Sequence, residues 1–237
     1  MIHYHGLPIT PGVAAVQAIS GGHAFVSHKY KDQLSLAIEC AQSFALDNGA
    51  FSSWKNGTPI TNWQPYYEWV ADVMNYPGFD FSVIPDDIDG NEDTNDILLN
   101  EWPHKNCGAP VWHMHESLTR LKRLCDEWRT VCLGSSREFS KVGSKSWWDR
   151  MSEAMDAITD SNGLPPCKLH GLRMLNPKIF TKLPLSSADS TNIGRNIGID
   201  CHWKGTYTPP DKASRALILR KRIESFNSAP SWKKELL

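Results

Sequence analysis

The sequence predicts an α/β fold, a single (β/α)8 TIM barrel, and three observations predict it. Short apolar runs alternate with longer amphipathic ones throughout, the pattern of parallel strands joined by right-handed helical crossovers. The strand-then-helix pairs number eight, which closes such a sheet into a barrel. The length, 237 residues, suits one undivided barrel domain over 1–237. A doubly wound open sheet is the alternative, yet neither GxGxxG nor GxxxxGKS/T follows any strand.

Strands are expected at 2–5 (IHYH), 23–27 (HAFVS), 43–47 (SFALD) and 79–85 (FDFSVIP). Four more follow at 109–114 (APVWHM), 130–134 (TVCLG), 167–171 (CKLHG) and 185–189 (LSSAD). Amphipathic spacing places helices between them at 12–20, 30–41, 62–75, 91–101, 116–128, 145–161 and 176–182. A last helix, about 210–226, closes the barrel and runs into a basic tail to 237. The stretch 191–209 is the longest without periodicity, and long loops in compact domains tend to be functional.

Net charge is −1, so no global basic field advertises a nucleic-acid partner. The distribution is uneven. No Lys or Arg lies between Lys55 and Lys105, while Lys212, Arg215, Arg220, Lys221, Arg222, Lys233 and Lys234 make the end basic. That end is either a solvated helix face or a phosphate-binding surface. The six cysteines include no CxxC pair, which points to reduced thiols in a cytoplasmic protein. No apolar run reaches the ~18 residues of a membrane span.

In a barrel, functional groups gather where strands end. Those ends hold His3, His5, Asp47, Asp86, Asp87, His113, His115, Gly134, His170, Gly171 and Asp189. His3 and His5 share a strand face, the arrangement of a metal pair, but no carboxylate partner is evident. His113 and His115 alternate, so only one faces inward. Asp87 also suits a helix cap. Two or three carboxylates around one cavity are what nucleophilic and acid–base chemistry at a sugar carbon requires.

Six motifs in order give these residues a context. LDNGAFSSW resembles the DSGGF or DSGAF element of the tRNA-guanine transglycosylase superfamily, and FSVIPDDIDGNED its base-recognition strand. PVWHMHESLTRL, VCLGSS, KLHGLRMLNPKIF and SSADSTNIGRN resemble its later elements, the last carrying the nucleophile. The style is closest to the DNA-guanine transglycosylases of phages and genomic islands. These enzymes exchange guanine in a polynucleotide for a 7-deazaguanine.

The resemblance implies a role for each residue. Asp189 would attack C1′ and form a covalent glycosyl-enzyme, while Asp47 would serve as acid and base. Asp86, with Asp87 beside it, would accept from N1 and N2 of the purine, and backbone groups of Leu133 and Gly134 would meet O6. His113 would be a polar base contact. Phe51 and His170 would pack the base, Gly171 beside His170 would belong to the same substrate-binding set, and Arg195 would keep Asp189 ionised. The co-substrate is a free 7-deazapurine, with no cofactor. The family's CxCxxC…H zinc element is reduced here to Cys201 and His202, so no structural zinc is expected. Asn48 replaces the usual Ser. The expected partner is DNA, single-stranded or with the base flipped out. tRNA, a non-catalytic binding barrel, and a homodimer or modification-complex partner remain open.

Overall fold

The computed structural model describes residues 1–198, 203 and 207–236. Its strands are β1 Ile2–Gly6, β2 His23–Ser27, β3 Ser43–Asp47, β4 Phe79–Val83, β5 Gly108–Ala109, β6 Val111–His113, β7 Thr130–Gly134, β8 Lys168–Gly171 and β9 Ser187–Ser190. The helices are α1 Gly12–Ile19, α2 Leu34–Cys40, α3 Ala50–Lys55, α4 Gln64–Val73, α5 Glu92–Glu101, α6 Leu118–Glu127, α7 Lys145–Ile158, α8 Pro177–Phe180, α9 Asn192–Asn196 and α10 Lys212–Glu224. Every strand pair is parallel, in the order β5-β4-β3-β2-β1-β9-β8-β7-β6.

β5 and β6 are two halves of one extended stretch parted by Pro110, which has no N–H to donate. The first half pairs with β4 and the second with β7, and Cys132 N donates to Pro110 O at 2.8 Å. The sheet therefore comes round on itself, and its nine segments act as eight staves of a TIM-like barrel. The fold expected from alternation is the fold observed.

Two apolar cores follow from the two-residue period of the strands. Tyr4, Phe25, Ala45, Phe81, Val111 and Cys132 fill the barrel interior. Their neighbours Leu46, Trp112, Leu133 and Leu169 face outward and pack with helical residues such as Val70 and Trp147. A register shift in the β3–β4 pairing lets the consecutive residues Asp80 and Phe81 both meet Tyr4, Phe81 within the barrel and Asp80 at its exposed amino-terminal end.

Several features depart from the expectations. His3 and His5 point out of the barrel. His3 Nε2 lies 3.0 Å from Phe226 O and His5 Nε2 3.0 Å from Glu224 Oε1 on α10, so these histidines fasten the closing helix. The carboxylate partner not evident in the sequence is thus Glu224, 219 residues away. α10 does close the barrel against α1, with Arg220 Nη1 donating to Ser20 O at 2.7 Å. Two of its cations are structural. Arg215 is buried and donates from Nη1 to Pro209 O at 2.7 Å, and Arg220 Nε donates to Glu224 at 2.9 Å. Lys212, Lys221 and Arg222 remain exposed. Cys201 and His202 lie outside the described residues, as does part of the 191–209 stretch. No helix among the described residues is long and apolar enough to cross a membrane.

Candidate active site

The carboxyl ends of the strands surround a cavity of about 470 Å³. Asp47, Asp86 and Asp189 line it together with Phe51, His113, Gly134, Arg173 and Arg195. The pattern that places them is simple: Ala45 points into the barrel, so Asp47, two residues on, points in above it. Asp189 tops β9 in the same way, in register with Tyr4 of β1.

Each carboxylate is held differently. Asp47 faces Ser27 across the β2–β3 pairing. Burial pushes its pKa up to about 7, Asp189 and Asp86 add to that rise, and Ser27 and the Gly49 amide pull the other way. Asp189 Oδ1 accepts from the backbone N–H of Arg173 at 2.9 Å and lies 3.4 Å from His170 Nε2. Asp86 Oδ1 accepts from Asn48 Nδ2 at 2.7 Å, and its Oδ2 lies 2.9 Å from His113 Nε2. Cys132 lies under all three. Burial, then Asp189, Asp86 and Asp47 in that order, hold its thiol neutral.

The DNGAF turn builds this geometry. Asn48 Oδ1 accepts from Ala50 N at 2.8 Å and starts α3, while its Nδ2 reaches Ile84 O at 2.8 Å as well as Asp86. One buried amide therefore ties Asp86 to the turn behind Asp47. Gly49 takes φ +81°, which suits glycine. α3, absent from the sequence reading, carries Phe51 into the cavity wall. At Gly134 a Cβ would lie 3.1 Å from His113 Nδ1, so glycine leaves room for that ring.

Other expected residues sit elsewhere. Asp87 is exposed and faces a second cavity of about 550 Å³ that shares Asp86 and Ile88 with the first, and its Oδ1 accepts from Asp89 N at 3.1 Å in a local turn. Leu133 packs in the outer core, and its carbonyl accepts from Leu172 N at 3.1 Å. Gly171 also faces outward, against Leu185 and Met174. His170 is wholly buried beneath Asp189, its Nδ1 2.8 Å from Ser187 Oγ and its ring stacked on Phe25. Of the His113/His115 pair, His113 lines the cavity. His115 bridges Ser136 Oγ at 2.7 Å and Gly90 O at 2.9 Å. Arg195 is exposed at the rim.

Arg173 was missed. Its amide holds Asp189, Nη2 donates to Ser135 O at 2.8 Å, and its guanidinium carbon lies 3.9 Å from the Phe51 ring centroid. Its backbone φ is +60°, a left-handed conformation that an L-residue rarely takes. An arginine two residues past a strand gives no sequence signal of that turn. Among the described residues no group of three or more His, Cys, Asp or Glu side chains could hold a metal ion. No family model, curated protein or solved structure matches the chain.

Proposed function

We propose that this protein is a pentosyltransferase that exchanges guanine in DNA for a 7-deazaguanine by double displacement at C1′. The observation that carries the reading is a division of labour within one cavity. Asp47 is poised near neutrality, and Asp189 is presented by a backbone amide. The Asp189 carboxylate attacks C1′ and breaks its bond to N9, while protonated Asp47 supplies the proton to departing guanine. The incoming base then loses its N9 proton to Asp47 and attacks C1′, and Asp189 is released unchanged. Asp86, oriented by Asn48, accepts from the guanine N1–H and amino group. Phe51 stacks on the ring, and His113 and Gly134 complete the polar wall.

The test is base exchange. The protein is incubated with radiolabelled guanine and either single-stranded DNA, duplex DNA or bulk tRNA, and label is counted in the recovered polymer. Label entering DNA, and absent with Asp189→Asn, is the expected result. Label in tRNA alone would move the substrate to RNA. Release of guanine without incorporation would make the protein a hydrolase, and no reaction with any polymer would sink the proposal.

A further inference from the structure

Phe51, on α3, and Arg173, in the loop after β8, come from opposite sides of the cavity and meet across it. The guanidinium carbon lies over the ring at 3.9 Å from its centroid, which leaves no space for a third ring between them. The guanidinium is planar and delocalised, as a nucleobase edge is, and covers the face of Phe51 on which a base would lie. Among the described residues the Arg173 side chain donates one hydrogen bond, Nη2 to Ser135 O at 2.8 Å, and the Asp189 carboxylate attracts its charge.

The backbone of the same residue does separate work. The left-handed turn at φ +60° lets the Arg173 amide donate to Asp189 Oδ1 while the side chain extends to Phe51. A swing of the side chain about its own torsions therefore leaves the amide on Asp189. Phe25 and His170, stacked on each other deep in the barrel, offer no such face, because both are buried.

We infer that Arg173 is a specificity-determining residue that holds the place of the substrate base. Its guanidinium occupies the stacking face of Phe51 and gives that face up to a planar ring when one binds. A ligand must stack better than a guanidinium to be admitted, which favours a bicyclic purine-like base over a bare sugar or a small polar molecule. The identity of that ring as guanine or a 7-deazaguanine rests on the base-exchange reading; the slot itself rests on geometry alone.

The experiment is calorimetric titration of the full chain and its Arg173→Ala and Arg173→Met variants with two probes, guanine and methylguanidinium. Circular dichroism checks that each variant is folded, and Arg173→Met keeps the side chain's length if Arg173→Ala does not fold. Guanine is expected to bind about tenfold tighter once the competing guanidinium is gone, and KM for guanine in exchange falls with it. Methylguanidinium is expected to bind the variants and not the parent, and Phe51→Ala added to either variant removes both gains. Guanine binding that is unchanged or weaker in folded variants, with no methylguanidinium binding, overturns the inference while leaving base exchange standing. Methylguanidinium binding without any guanine binding keeps the slot and removes the base-exchange reading.

Discussion

At the amino-terminal end of the barrel, Asp80 accepts from Tyr4 Oη at 2.5 Å and from Ser43, whose hydroxyl lies 2.8 Å from His23 Nδ1. Because Ser43 spends its proton on Asp80, the His23 ring donates to Ser43, and every member of the group has a partner. At the carboxyl-terminal end the same residue types are arranged otherwise. Asp47, Asp86 and Asp189 share a cavity, and Ser27 Oγ, both ring nitrogens of His113 and Nε2 of His170 are buried without an aligned hydrogen-bond partner among the described residues. Carboxylate, histidine and serine stabilise the barrel at one end. At the other they are held short of satisfaction, where a ligand would complete them. The difference is one of partners, not of composition.

The largest effect that separates the ends is loss of the proposed nucleophile. Asp189→Asn is expected to lower guanine exchange by about a thousandfold or more with the fold intact. Asp80→Asn should leave the exchange rate within about twofold and reduce stability by ~1 kcal/mol through weaker acceptance from Tyr4 and Ser43. Urea unfolding and exchange measured on both proteins decide this. Equal activity losses would break the comparison.

Asp47 sharpens it through pH. Its folded pKa is raised from 3.8 to about 7, so between those values the folded protein keeps a proton that the unfolded chain releases. The stability this confers is full below the unfolded value and is lost as pH rises through the folded one. Stability therefore falls from about pH 4 to pH 7 and is level above. Asp47→Asn should flatten that slope in urea titrations at pH 5 and pH 8. With Asp47 as the proposed acid, the first displacement should slow about tenfold per pH unit above 7 as its protonated form is lost, whereas Asp47→Asn should be slower by a hundredfold to roughly ten-thousandfold below pH 7 and show no such fall above it. A slope that survives in Asp47→Asn would assign the titration to another group.

Asp86 is the next smaller step. Asp86→Asn replaces an acceptor with a group that also donates toward the purine N1–H. Discrimination of guanine over adenine, read from competition in the exchange assay, should fall by about 10–100-fold. Asn48→Ala, which removes the amide holding Asp86, should reproduce part of that loss. Unchanged selectivity in both variants would remove Asp86 from base recognition.

The fold was legible in the sequence because alternation of short apolar and longer amphipathic runs is a local property. The eight staves lie within about two residues of their apolar runs, and Asp47 and Asp189 fall at strand ends through parity alone. What was not legible depends on turns and on distance along the chain. α3 is six residues long and begins on a buried Asn48 side chain, not on periodicity. Leu133 and Gly171 lie at strand ends yet face the helices, because alternation turns one residue in each pair outward. The left-handed turn that brings Arg173 to both Asp189 and Phe51 leaves no mark in KLHGLRM. Nor does any spacing disclose that His5 belongs to Glu224.

The smallest expected effect tests the barrel between its two ends. Tyr4 sits in register with Asp189 and sends its hydroxyl the other way, to Asp80. Burial and the Asp80 carboxylate hold that phenol well above its ordinary pKa, so it stays a neutral donor. Tyr4→Phe deletes the hydroxyl and keeps the ring, whose edge contacts with Phe81 and His170 are at centroid distances of 5.8 Å. Asp80 retains Ser43 and its exposure to water, so no buried charge is stranded. The cost should be about 0.5–1.5 kcal/mol in urea unfolding, the net worth of one hydrogen bond, with exchange and its pH profile unmoved. His170 stands between Tyr4 and Asp189, so a shift of that profile would show that the packed interior carries charge effects from one end to the other. The two ends would then have to be treated as one coupled set of titrating groups, and the distinction between satisfied scaffold and unsatisfied site would fail at the interior ring that joins them.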